Sequence, residues 1–230
     1  YSNTTGDHNT ASGWSSLYTN TTGSYNNASG YQSLAFNTTG DNNTASGYQS
    51  LYSNTTGANN TASGYHSLRS NTAGYSNTAS GYKALYLNTT GSSNTATGYQ
   101  SLKSNTTGAN NTASGYHSLY SNTTGTHNTA FGYNAQASSA TGTNQTVIGY
   151  EATGQADNSV VLGNDDVTAV YMGEDSGATI YAAGLRTASN AVLTLSADDA
   201  TFADDLTVSG DVVISSDARL KSNIVSLGST

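Results

Sequence analysis

A period of seventeen residues, kept without insertion or deletion, constrains this chain more than any other feature. Its clearest copy occupies residues 54–70, NTTGANNTASGYHSLRS. The Gly-aromatic step of that copy recurs at Gly13-Trp14, Gly30-Tyr31, Gly47-Tyr48, Gly64-Tyr65, Gly81-Tyr82, Gly98-Tyr99, Gly115-Tyr116, Gly132-Tyr133 and Gly149-Tyr150. A second glycine keeps the beat from Gly6 to Gly142, and a leucine keeps it from Leu17 to Leu119. Self-similarity at one fixed length means stacked coils, each burying its inner face only against its neighbours.

Composition makes an ordinary globular core implausible, since 34% hydrophobic residues are spread evenly along the chain. A disordered polar tract is the competing reading. It fails on the register: a linker has no reason to place a large side chain at one phase nine times. Among 230 residues there is no Cys and no Pro, and no apolar run is long enough to cross a bilayer, so no membrane insertion is expected. Tyr1 falls in mid-repeat, so the expectation is a piece of a longer or processed chain.

Each unit divides into fixed and free positions. The corner Asn-Thr-Thr-Gly, the run Asn-Thr-Ala-Ser-Gly, the aromatic and the leucine are fixed, and are expected in the core or the turns. The residues after the corner glycine, after the aromatic and after the leucine vary, and are expected to face water. The coil predicted from this is a short strand at Thr-Ala-Ser, a glycine turn, a second strand through Tyr-x-Ser-Leu, and a return through the corner. Coils about 4.8 Å apart would make nine into a rod of about 43 Å, with ladders of Asn and Thr pairing side chain to side chain along it. Nothing reads as helix.

Such a coil encloses little more than Ala and Leu, and a single chain would leave a stripe of tyrosines wet. Several copies, three about a common axis, are expected to bury it. The fold class is therefore all-β: a parallel β-roll or β-solenoid over residues 1–150, homotrimeric. Over residues 130–164 the wording drifts from Ala-Ser-Gly-Tyr to Ala130-Phe131-Gly132, then Val147-Ile148-Gly149, then Val161-Leu162-Gly163, and the last step shortens to fourteen residues. Residues 145–164, QTVIGYEATGQADNSVVLGN, resemble the head repeats of trimeric autotransporter adhesins. That resemblance implies a parallel β-roll in a homotrimer.

After Asp165 the period is lost, and short alternating runs over residues 165–212 suit a slim intertwined β stalk. The acid pairs Asp165-Asp166, Asp198-Asp199 and Asp204-Asp205 read as solvated turns, since no calcium-loop pattern surrounds them. Residues 213–224, VISSDARLKSNI, resemble the opening of the intramolecular chaperone domain first known from phage endosialidases and found at the end of many phage tail fibres. The resemblance implies a single self-cleavage near the Ser216-Asp217 bond, with Ser216 as nucleophile and Lys221 as its base. The segment 213–230 is then the truncated start of that domain. A lysine serves as base only when burial lowers its pKa, so the short segment by itself is not expected to cleave.

Other chemistry is sparse. His66 and His117 share a phase but lie three coils apart, about 14 Å, too far for one metal, so no metal and no cofactor are expected and His8, His66, His117 and His127 are read as surface residues. Asn-x-Thr triplets at Asn3, Asn20, Asn37 and Asn54 read as repeat composition. Through Tyr150 the charged residues are Asp7, Asp41, Arg69, Lys83 and Lys103, with no basic patch apparent, which argues against nucleic acid. The function expected is a structural and receptor-binding fibre, extracellular, on a virion tail or cell surface, whose exposed Tyr18, Tyr25, Tyr52, Tyr75, Tyr86 and Tyr120 meet cell-surface glycans or another receptor. Alternatives are a bacterial surface adhesin or filament and, in a different class, an ice-binding solenoid built on pairs such as Thr38-Thr39. An enzyme acting on polysaccharide would need paired carboxylates, which the array lacks.

Overall fold

In the computed structural model, which describes residues 2–168 and 170, each repeat forms one coil of a parallel β-solenoid. Every coil contributes one short strand: β1 (Thr10–Ser12), β2 (Asn27–Ser29), β3 (Thr44–Ser46), β4 (Thr61–Ser63), β5 (Thr78–Ser80), β6 (Thr95–Thr97), β7 (Thr112–Ser114), β8 (Thr129–Phe131), β9 (Gln145–Ile148) and β10 (Ser159–Leu162). They make one ten-stranded sheet in chain order. Ala45 pairs with Ala62 and Ala62 with Ala79, seventeen residues on, while Val147 pairs with Val161, fourteen on. The shortened last step is therefore a shorter coil in the same stack. No helix forms among the described residues.

Alternation explains the strand. From β2 to β6 the central Ala points inward and is buried, while its Thr or Asn and Ser or Thr neighbours point out. From β2 to β8 this inward column carries only a methyl, so each coil is narrow. The opposite wall carries the buried leucines Leu34, Leu51, Leu68, Leu85, Leu102 and Leu119.

That wall is not the second strand expected at Tyr-x-Ser-Leu. The residue after the aromatic and the leucine both take left-handed φ, as at Gln49 (50°) and Leu51 (49°), where a strand needs negative values. In this turn the N–H groups of these two residues reach opposite neighbours. Gln49 N–H donates to Tyr31 O in the preceding coil at 2.9 Å, and Leu51 N–H donates to Ser67 O in the following coil at 3.0 Å. Left-handed φ disfavours a non-glycine residue by about 1–2 kcal/mol, which these inter-coil bonds and the leucine's burial offset. The fixed glycine before the aromatic has a steric reason as well. Gly47 has φ of 136°, and a Cβ there would lie 2.5 Å from Gly64 O.

Half of the interior is polar. Two columns of asparagine, the corner Asn20 to Asn122 and the pre-strand Asn26 to Asn128, are buried. Asn71 Nδ2 donates to Asn54 Oδ1 at 2.8 Å and to Gly74 O at 2.9 Å, while Asn77 N–H donates to Asn60 Oδ1 at 3.0 Å. Paired asparagine ladders thus form as expected, within the core, and the sequon asparagines Asn20, Asn37 and Asn54 are sealed inside. Threonine behaves differently from the expectation: Thr55 Oγ1 donates to the backbone carbonyl of Thr72 at 3.0 Å, not to a neighbouring threonine side chain.

In the last seventeen-residue coil, just before the short one, the ladders change members. Leu119 and Asn122 end their columns, and Gln145 occupies the pre-strand asparagine position, fully buried. Its N–H donates to Asn128 Oδ1 at 3.0 Å, and its longer amide reaches Ser138, donating to Oγ at 2.8 Å and accepting from N–H at 2.9 Å. Val147 replaces Ala in the strand column. Asp165 and Asp166 lie exposed in a turn, where Asp166 Oδ2 accepts from Asn164 Nδ2 at 3.3 Å and Asp166 N–H donates to Asn164 Oδ1 at 3.2 Å. The rest of the stalk expected over 165–212, and the segment 213–230 with Ser216, Asp217 and Lys221, lie outside the described residues.

Candidate functional site: an aromatic and cationic face

Because the coils stack in register, one position in the repeat becomes one column on the solenoid. Three such columns stand side by side on the wall made by residues after the Gly-aromatic step. The first is Trp14, Tyr31, Tyr48, Tyr65, Tyr82, Tyr99, Tyr116, Tyr133 and Tyr150. Successive ring centroids are 4.9–5.3 Å apart with planes within 15°, an offset stack. These rings are 37–63% exposed. The aromatic is thus a fixed position in the turn that follows each strand; it is held there by the ring above and the ring below. Each inner ring has both faces covered, so the column offers water its edges.

The second column, half-buried, contains Gln32, Gln49, His66, Lys83, Gln100 and His117. Its amides and imidazoles bond along the stack. Gln49 Nε2 donates to Gln32 Oε1 at 2.7 Å, His66 Nε2 lies 3.0 Å from Gln49 Oε1, and His117 Nε2 lies 2.8 Å from Gln100 Oε1. His66 is not the free surface histidine expected. Burial, then the nearby charges of Arg69 and Lys83, lower its pKa to about 4. His117 is lowered for the same reasons, burial and then Lys103.

The third column follows the leucines: Tyr18, Ala35, Tyr52, Arg69, Tyr86, Lys103 and Tyr120. From Tyr52 onward it alternates aromatic with cation. The Arg69 guanidinium sits 5.0 Å from the Tyr52 centroid, and its Nε donates to Gln49 Oε1 at 3.0 Å. Lys103 Nζ is 4.9 Å from the Tyr120 centroid and donates to its phenol oxygen at 2.9 Å. Lys83, from the second column, reaches 5.2 Å from the Tyr82 ring and 5.5 Å from the Tyr86 ring. Where this column carries only Ala35, the missing ring leaves a shallow groove between Trp14, Tyr18, Gln32 and Phe36.

Of the six tyrosines expected to bind, Tyr18, Tyr52, Tyr86 and Tyr120 therefore share a column. Tyr25 and Tyr75 do not join them. They follow the corner glycine, where Tyr25 stacks on His8 at 4.7 Å and Tyr75 N–H donates to Ser92 Oγ at 3.1 Å. Sequence reasoning missed the cations. Their phase was the available signal, since Arg69 and Lys103 occupy the tyrosine position of neighbouring repeats; a count of charges along the chain nearly cancels and hides them. No group of three His, Cys, Asp or Glu side chains is gathered among the described residues. Compared with family models, with curated proteins and with solved structures, the chain finds no match.

Proposed function

We propose that this chain is the shaft of a homotrimeric extracellular fibre, a phage tail fibre or a similar surface filament, that attaches to a cell surface through glycans. The observation that carries the reading is a change of character in one strand column. The outward residue that is Ser or Thr from β1 to β7 becomes Phe131, Ile148 and Leu162 in β8 to β10, and these are 44%, 41% and 45% exposed. Val160 beside them is exposed too. A contiguous apolar patch of this kind calls for a partner, and copies arranged about one axis supply it symmetrically. The patch lies in the stretch that resembles the trimeric adhesin heads, upstream of the residues that resemble a trimer-aligning chaperone. Self-cleavage by Ser216 with Lys221 as base belongs to the same reading.

Mass in solution, before and after heating in detergent, tests the assembly. A trimer that persists on heating supports it, and a monomer at micromolar concentration removes it. Retention on a glycan array by the assembled chain tests attachment. A bacterial adhesin differs from a phage fibre in what anchors it, so co-purification with membranes would favour the adhesin and attachment to virion tails the fibre.

Ice binding is favoured by one feature, though not by the threonine pairs. Thr38 Oγ1 is committed to Thr55 O, whereas Thr44, Thr61, Thr78 and Thr95 with Ser46, Ser63, Ser80 and Thr97 form two exposed hydroxyl columns on the parallel sheet. Thermal hysteresis of the purified chain decides, and none at high concentration removes the idea.

A further inference from the structure

Between residues 42 and 150 the chain has no acid, and all three of its cations there, Arg69, Lys83 and Lys103, belong to the face described above. They stand on successive coils, following Gly64, Gly81 and Gly98. One cation per coil, at the 4.9–5.3 Å advance of the ring column, makes a positive row along the axis of a chain whose net charge is −8. The partners of these cations are π-faces, an amide and a phenol, so their charge is not neutralised by the side chains they touch.

We propose that this row binds a linear polysaccharide bearing carboxylates, laid parallel to the solenoid axis; the proposal rests on the glycan-attachment reading and names its ligand class. Three features of the face fit that polymer. A pyranose residue advances a polymer by about the spacing of one coil, so one carboxylate per sugar meets one cation per coil. Guanidinium and ammonium groups pair with carboxylates, and the phenol edges of Tyr65, Tyr82 and Tyr99 offer hydroxyls beside them for sugar hydroxyls. Field from a like-signed row draws an anionic chain in and aligns it.

Single-stranded nucleic acid, the other anionic polymer, requires open ring faces on which bases stack. Here the inner rings of the column have stacked neighbours on both sides, and Tyr52 and Tyr120 are capped by Arg69 and Lys103. The face therefore favours the polymer recognised by edges and charge.

The test compares binding of the full chain to polygalacturonate, to its fully methyl-esterified form and to an oligothymidylate, at low and at raised salt. Polygalacturonate is expected to bind at low salt and to be released as salt rises. Esterification, or the variant R69Q/K83Q/K103Q, is expected to weaken binding by about tenfold. Glutamine already occupies this wall at Gln49 and Gln100, so the variant should keep its fold, and an unchanged unfolding midpoint would verify that. Should the variant not fold, the ester comparison and the salt dependence of the natural chain still decide. Equal binding of the two polymers, an unaltered triple variant, tighter binding of the oligothymidylate, or no binding by the natural chain each overturns the proposal. If polygalacturonate is not bound while neutral glycans on an array are retained equally by the natural chain and the triple variant, the charged row is refuted while attachment stands; if no glycan of either kind is retained, attachment fails with it.

Discussion

Asn43 and Asn54 converge on one acceptor: each donates a side-chain amide N–H to the carbonyl of Gly57, both at 2.8 Å. Asn43 reaches it from the preceding coil and Asn54 from its own. The two buried asparagine columns are thereby tied together at each corner glycine from Gly40 to Gly125, and Asn43 Oδ1 also accepts the backbone N–H of Asn60 at 3.0 Å. A short planar group with two donors and an acceptor closes all of these bonds, which neither Ser nor Asp can do.

Asn54→Ala should therefore be among the most damaging single changes in the array. It deletes the bonds to Asn37 Oδ1 and Gly57 O and the one received from Asn71, at a fully buried position. A loss of about 2–4 kcal/mol is expected, read as a lower denaturant midpoint. Asn3→Ala, at the exposed first coil, should change the midpoint little.

Gly64→Ala should be worse than its size suggests. Gly64 has φ of 129°, and a Cβ would fall 2.6 Å from Gly81 O, so strain and collision add. A loss of about 2 kcal/mol or more is expected. Ser63→Ala, one residue earlier on the exposed side of β4, should lie within about 0.5 kcal/mol of the natural chain. Circular dichroism with denaturant titration of both variants checks the contrast.

The period, the inward Ala and Leu and the short last coil were legible because each is a matter of register, and stacked coils turn register directly into columns. The second strand was not. Gln49 and Leu51 are ordinary residues with no preference for positive φ, and only the neighbouring coils, which take up their backbone groups, hold them there. The aromatic column stands in the turns, as a fixed position allows, but what fixes it was not legible: Tyr65 is held by Tyr48 and Tyr82, not by the interior, and a fixed position alone does not say which neighbour fixes it. The cationic row was readable from phase, since Arg69 and Lys103 stand where other repeats have tyrosine, but a total of charges conceals where they meet.

Stability should fall in mild acid, and His66 is one cause. It faces Gln49, Arg69, Lys83, Tyr65 and Tyr86, and its folded pKa of about 4 lies below its ordinary value of 6.5. The unfolded chain therefore takes up the proton first as pH drops. His66's contribution is complete above about pH 6.5 and is lost as pH falls toward about 4. His66→Gln, which copies the residue at Gln49 and Gln100, should flatten the dependence of the unfolding midpoint on pH across that window. An unchanged slope would show that His66 is as free to protonate in the folded chain as in the unfolded one.

Phe131, Ile148 and Leu162 follow seven strands whose corresponding outward residue is Ser or Thr, so serine at these positions would continue the column already present. The backbone ladder of β8 to β10 does not depend on them, because their side chains point away from the buried Ala130 and Val147. Their replacement by serine should leave the solenoid folded and remove about 1.5–3 kcal/mol of burial per side chain from each contact between copies. In the trimeric reading, F131S/I148S/L162S converts a heat-resistant trimer into monomers with the same circular dichroism. If the patch instead packs only within its own chain, the variant loses thermal stability with no change in mass, so sedimentation and melting together separate the two.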